Sequence, residues 1–347
     1  MFHTSLKFLL SSLFLSGLLV VSAEAADNSS PSAQLPSLLE VKSYEVEWGG
    51  RPRDPAVAPD GMVWFCGQAD NYIARLDPES GEMTKFAVPE GSHPHNLIVD
   101  SDGFVWYAGN RNRHIGRIDP DTGDIKQYPM PEAVKDPHTL VFDADENIWF
   151  TAQHSNVVGH LDVDTGDVRY VSMTQKRSRP YGIKTDAKDN VWSVLLGTNK
   201  LAFVDKENLE LTEIKIPRDN ARPRRLEITE DGNIWYVDYM GGFLGRYNPE
   251  NKKFEEWLLP AGEGSRPYGT ALDDDGVIWI AQTGPYPNEM VGFDTTAEKF
   301  ISSTVIKEGG SIRHMYYDAN EDAFWFGIDT GFIARGEMKG KGKGSKK

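Results

Sequence analysis

The chain has 347 residues, 39% of them hydrophobic and 11% aromatic, enough apolar material for a buried core, and a formal net charge of −15. An acid excess of that size excludes a duplex nucleic-acid partner, whose phosphates it would repel. The single cysteine, Cys66, excludes an internal disulfide. With no cationic group near it in sequence, it reads as a buried, inert thiol rather than a nucleophile.

The chain opens with Lys7, the apolar run Phe8 to Val21 and then Ala23-Glu24-Ala25. A charged start, a short apolar stretch and an Ala-x-Ala pattern predict a secretory leader over residues 1–25, cleaved after Ala25. The apolar run is 14 residues long, short of the roughly 20 needed to span a bilayer, and no other stretch comes closer. The expected product is therefore exported, with no membrane span, and periplasmic or secreted. Residues 26–37, rich in Ser, Pro and Asn, read as a flexible leader. Residues 339–347 carry five lysines among glycines and read as a disordered tail.

Between them, over residues 38–338, one pattern recurs seven times. Trp64, Trp106, Trp149, Trp192, Trp235, Trp279 and Trp325 follow one another at steps of 42, 43, 43, 43, 44 and 46 residues. Pro52, Pro94, Pro137, Pro180, Pro223 and Pro267 march in step, with Ile312 in the seventh place. In the second repeat, Ser92-His93-Pro94-His95 is the opening, and Asn96 to Val99, Phe104 to Ala108, His114 to Asp119 and Asp124 to Pro129 read as four strands. They are punctuated by the turns Asp102-Gly103 and Asp121-Thr122-Gly123. A four-stranded unit of this length, repeated without helical periodicity, predicts an all-β protein, a seven-bladed β-propeller with four antiparallel strands per blade. The seventh repeat ends one strand short at about Met338. Leu39 to Val46 aligns with Gly81 to Val88, so this N-terminal strand is expected to complete the last blade and close the ring, removing two exposed edges.

Inner strands of a propeller start at one face. The residues after each opening position, Arg53, His95, His138, Tyr181, Arg224, Tyr268 and Arg313, should ring the mouth of the central channel. The residues before them are Arg51, His93, Asp136, Arg179, Arg222, Arg266 and Ser311. Together they hold seven Arg and three His against one carboxylate, in an acidic protein. Arg forks and aromatic faces around a concave opening predict a funnel for an anionic or acceptor-rich ligand. Arg53, His95, Tyr181, Arg224 and Tyr268 are the expected substrate contacts. A second ring, four residues after each Trp, runs through Gln68, Asn110, Gln153, Leu196, Tyr239, Thr283 and Asp329.

The phrases HPHNLIVDSDGFVWYAGNRNRHIGRIDPDTG and ARPRRLEITEDGNIWYVDYMGGFLGRYNP resemble the streptogramin B lyases, the virginiamycin B lyase family. The resemblance covers about residues 38–338 and implies the same fold. It also implies an elimination that opens the ester of a cyclic depsipeptide, with a His as base and a Mg²⁺ held by two carboxylates polarising the ester carbonyl. The family's base aligns with Arg313, with His314 one residue late. Its first carboxylate aligns with Ser311 and its second with Asp329. Asp136-Pro137-His138 offers a rival acid-x-His spacing in the third repeat.

Two readings follow. The first is a metal-assisted carbon–oxygen lyase acting on an ester or glycosidic-type bond, with His314 or His138 as base, Arg313 neutralising developing charge, and Asp329 or Asp136 on Mg²⁺. The second is a non-catalytic propeller that captures an anionic ligand or an envelope protein. No organic cofactor is expected, since no Gly-rich phosphate loop occurs. A monomer is expected, with a small or oligomeric polar ligand as its partner and no nucleic acid.

Overall fold

The computed structural model describes Met1 and residues 35–340; the expected leader over 1–25 and most of the Lys/Gly tail lie outside the described residues. Residues 35–340 fold into seven four-stranded antiparallel sheets. The only helical turn among the described residues is the short 3₁₀ segment Gly262–Ser265. Six of the seven blades run in chain order from the axis outward, as in Pro52–Val57, Val63–Gly67, Tyr72–Leu76 and Met83–Ala87 of the first blade. The second strands, such as Val63–Gly67, are buried throughout, whereas the fourth, such as Met83–Ala87, alternate toward solvent. That gradient is what a radial stack of twisted sheets requires.

The repeated tryptophans hold the blades together. All seven are buried, at 5% exposure or less. Four indole N–H groups donate to an aspartate six residues upstream: Trp106 to Asp100 (2.8 Å), Trp149 to Asp143 (3.2 Å), Trp192 to Asp186 (3.2 Å) and Trp279 to Asp273 (2.8 Å). In the fifth blade Thr229 replaces the aspartate and accepts from Trp235 at 3.2 Å. A bonded indole can be buried without the cost of an unmade hydrogen bond. The aspartate also accepts the backbone N–H that closes the first turn, as Asp100 does from Phe104 at 2.8 Å.

The ring closes as expected. Leu39–Glu45 pairs antiparallel with Phe332–Met338, from Leu39 opposite Met338 to Glu45 opposite Phe332. Tyr44 stacks on Trp325 at 5.9 Å, as Phe86 packs on Trp64 at 4.9 Å. At this seam the seventh blade approaches the first so closely that a Cβ on Gly327 would lie 2.5 Å from the Arg53 Cα, which leaves room only for glycine. Pro36 and Ser37, assigned to the flexible leader, are bonded to the sixth blade. The Pro36 carbonyl accepts from Ser303 N–H at 3.0 Å, and Ser37 Oγ meets Thr304 Oγ1 at 3.1 Å.

Candidate functional site

Every inner hairpin carries a register shift just after its opening residue, for instance between Pro137 and Leu140 and between Ile312 and Met315. All seven blades share it. A bulge of this kind directs two consecutive side chains toward the axis at different depths. The channel is therefore lined by two layers.

The upper layer is the predicted ring. Arg53, His95, His138, Tyr181, Arg224, Tyr268 and Arg313 line one cavity of about 460 Å³, together with Arg51, His93, Gln68, Asn110 and Gln153. His95 and His138 stack with ring centroids 3.7 Å apart, and His138 meets Tyr181 at 4.3 Å. The phenols of Tyr181 and Tyr268, from non-adjacent blades, share a hydrogen bond. Arg224 lies over the rings of Tyr268 (3.7 Å) and Tyr239 (4.3 Å). Arg53 Nη1 donates to Gln68 Oε1 at 3.1 Å, while its Nη2 has no partner.

Electrostatics sort these groups. Burial, reinforced by repulsion from Arg53 and Arg225, holds His95 and His138 well below the ordinary histidine range, so both are neutral. Burial pushes the Tyr268 phenol up, but Arg224, Arg53, Arg225 and Arg313 outweigh it and bring it down to about 7. Burial and the neighbouring Tyr268 push Tyr181 the other way. The pair thus divides into one acidic and one reluctant phenol.

The lower layer is Asp54, Asn96, Thr139, Arg225 and His314. Asp54 is wholly buried. It accepts from Arg53 Nε at 2.9 Å and Asn96 Nδ2 at 3.1 Å, with Arg225 Nη2 at 3.6 Å. Arg225 Nη1 also donates to Thr139 Oγ1 at 3.2 Å. This cross-brace forms a floor under the mouth. Beneath it lies a second cavity of about 460 Å³ with apolar walls such as Leu97, Leu140 and Ile183, and with Arg225, Thr139 and His314 at its roof.

His314 therefore does not join the mouth. The bulge turns it toward the axis one layer too deep, into the lower cavity, where burial and Arg225 depress it to about 3. Asp329 reaches the mouth region, but its oxygens are taken. Oδ2 accepts from Arg313 Nε (3.1 Å) and Nη2 (2.6 Å), and Oδ1 accepts from Ser311 N–H (2.6 Å). Asp136 is a loop cap, accepting from His154 N–H (2.6 Å), Ser155 N–H (2.8 Å) and Ser155 Oγ (2.5 Å). The residues before each opening position divide. Arg51, His93 and Asp136 line the mouth, whereas Arg179 and Arg222 line an adjoining groove of about 1180 Å³ that shares Gln153 and Arg224 with it. Asp54 and the Tyr181–Tyr268 contact escaped sequence reasoning, the latter because nothing in the repeat spacing pairs the fourth blade with the sixth.

The Virginiamycin B lyase family model matches residues 28–285. The chain belongs to that family. Virginiamycin B lyase from Staphylococcus aureus, 22% identical, superposes with a TM-score of 0.78 over 86% of this chain and 99% of its own. A streptogramin B lyase, also 22% identical, gives 0.79 over 87% and 98%. A catalytically inactive variant of the S. aureus enzyme, solved with quinupristin, gives 0.78 over 86% and 99%. No curated protein has a significant sequence match to this chain. At this identity the structural likeness establishes the fold. The family match stops before Ser311, ahead of the blade that carries Arg313 and Asp329.

The magnesium that family membership implies finds no fitting donor set in the mouth. Ser311 stands where the first carboxylate is expected, Arg313 where the base is expected, and the remaining acid is spent on that Arg313. Among the described residues no cluster of three His, Cys, Asp or Glu side chains could hold a metal ion. A hard cation needs carboxylate oxygens free of competing donors, and guanidinium groups occupy that space instead.

Proposed function

We propose that this family member is an exported lyase whose mouth binds a carboxylate-bearing substrate and eliminates across a carbon–oxygen bond, using arginine where its relatives by resemblance use a metal. The supporting observation is the Tyr181–Tyr268 phenol pair set among Arg224, Arg53 and Arg313. The arginines neutralise the substrate carboxylate and the enolate-like charge that develops on it. Tyr268, as phenolate, takes the proton from the carbon next to that carboxylate. The electron pair freed from the C–H bond forms the carbon–carbon double bond, and the C–O bond one carbon further on breaks. The leaving oxygen takes its proton from Tyr181, and the proton shared between the two phenols then returns to Tyr181, restoring the starting state. His138 and His95, both neutral, pack beside the reacting groups and exclude water. Export rests on the leader read over residues 1–25; no described helix is long and apolar enough to cross a membrane.

The test is to incubate the full chain with uronates and other carboxylates bearing an oxygen substituent one carbon beyond the acidic C–H, following the ultraviolet absorbance of the conjugated double bond. Tyr268→Phe should lose about 10²–10⁴ of the turnover while still binding substrate. Salt-sensitive binding with no double bond formed by the wild type would replace this reading with simple anion capture.

A further inference from the structure

The mouth is not an isolated bowl. Gln153 and Arg224 belong to its wall and also to that of the groove running off across the openings of the fourth and fifth blades. The groove is more than twice the volume of the mouth, about 1180 against 460 Å³. It is lined by Arg177, Arg179, Arg218 and Arg222 in addition to the shared Arg224.

The charges in this groove are not balanced locally. Arg218 has carboxylate partners, with its Nη2 at 2.8 Å from Glu256 and 3.2 Å from Asp238. Of the other acids on the wall, Asp219 lies 3.6 Å from Lys215, which leaves Glu263. Arg177, Arg179 and Arg222 have no carboxylate partner among the described residues. Arg177 and Arg179 are exposed. In a chain of net charge −15, three uncompensated guanidinium groups on one concave wall are a local inversion of the prevailing field. The groove also offers apolar surface beside its cations, through Met240, which is 49% exposed, and Tyr239, over whose ring Arg266 sits at 5.5 Å.

We infer that the substrate is an extended acidic polysaccharide with a carboxylate on each sugar, one sugar seated in the mouth and its neighbours laid along the Arg177–Arg179–Arg222 groove. This deepens the proposed elimination and rests on it. Each uronate unit of such a chain carries an acidic C–H beside its carboxylate and a glycosidic oxygen one carbon further on, the pattern the mouth chemistry needs. Arg forks match the repeated carboxylates, and the C–H faces of the sugars match Tyr239 and Met240. A nucleic-acid strand supplies anions but no carbon acid beside a carboxylate.

Binding of galacturonate monomer, galacturonate hexamer, alginate hexamer and a single-stranded oligodeoxynucleotide to the full chain, measured by calorimetry at low and high salt, tests this. At least one uronate hexamer should bind at least about tenfold more tightly than the monomer. Arg177→Gln with Arg179→Gln should erase that advantage, weakening hexamer binding far more than monomer binding and leaving Tm unchanged, since both side chains are exposed and make no described ion pair. Monomer binding with no hexamer advantage, or an advantage that survives the double variant, overturns the groove alone. Failure of every uronate to bind overturns the groove and the mouth reading together. Equally tight oligodeoxynucleotide binding, lost in the same variant, overturns the polysaccharide assignment.

Discussion

The two ends of the central channel are cut from the same seven strands and enclose the same volume, about 460 Å³ each, yet they are chemically opposite. The upper end gathers arginine, imidazole and phenol groups. The lower end is walled by Leu97, Leu140, Ile183 and their neighbours, with the Lys184–Glu227 pair at 2.9 Å closing its charge internally. The difference arises at a single structural device, the bulge after each opening position, which sends one residue into the mouth and the next into the floor. Chemistry in this propeller is thus assigned by depth along the axis as well as by blade.

The strongest way to break this division is to remove its floor. Asp54→Ala leaves Arg53 and Arg225 buried without their shared anion and should cost about 3–5 kcal/mol of stability in chemical denaturation. A loss under about 1 kcal/mol would mean that the floor is not an electrostatic brace. Burial would raise the Asp54 carboxyl, but Arg53 and then His314 and Arg225 hold it below the usual carboxylate range. A lowered folded-state value contributes stability above the unfolded value of about 4 and loses it as pH falls below that.

A smaller effect sharpens the contrast from the mouth side. His93 is lowered to about 4, and His95 and His138 are held well below their usual value, mainly by burial. Each is neutral when folded and would take up a proton on unfolding, so stability should fall as pH drops through the unfolded histidine value of about 6.5. Each such histidine adds a slope of up to about 1.4 kcal/mol per pH unit. Replacing His95 and His138 together by Gln should flatten thermal stability measured between pH 7 and 5; an unchanged slope would place the acid sensitivity elsewhere. The smallest expected effect belongs to the lower cavity. His314→Ala should alter uronate turnover by no more than about twofold, and abolished turnover would move the reacting centre below the floor.

The propeller was legible because its determinants repeat. The Trp spacing, the Asp-Gly turns and the spare strand at Leu39 each recur or are missing at a countable position. The mouth was legible for the same reason, since the residue after each opening position falls in register seven times over. What repetition could not reveal were its exceptions in depth and across the ring. Strand parity places His314 on the face opposite Arg313 unless a bulge intervenes, and the bulge brings it to the axis but on the wrong storey. Asp329 keeps the family's position, but Arg313, at the start of the adjacent strand of the same blade, claims its carboxylate at 2.6 Å. Asp136 shows acid-x-His spacing, yet its carboxylate caps the following loop.

The seam at Leu39–Glu45 imposes an order of events during synthesis. This strand leaves the ribosome before any other part of the propeller, yet its partner, Phe332–Met338, is nearly the last to appear. Until then the first strand has no strand to pair with, and the seventh sheet lacks its two outer strands. A nascent chain halted before Phe332 is therefore an incomplete circle with two sticky ends, and the ring fastens shut only once that late strand has been made.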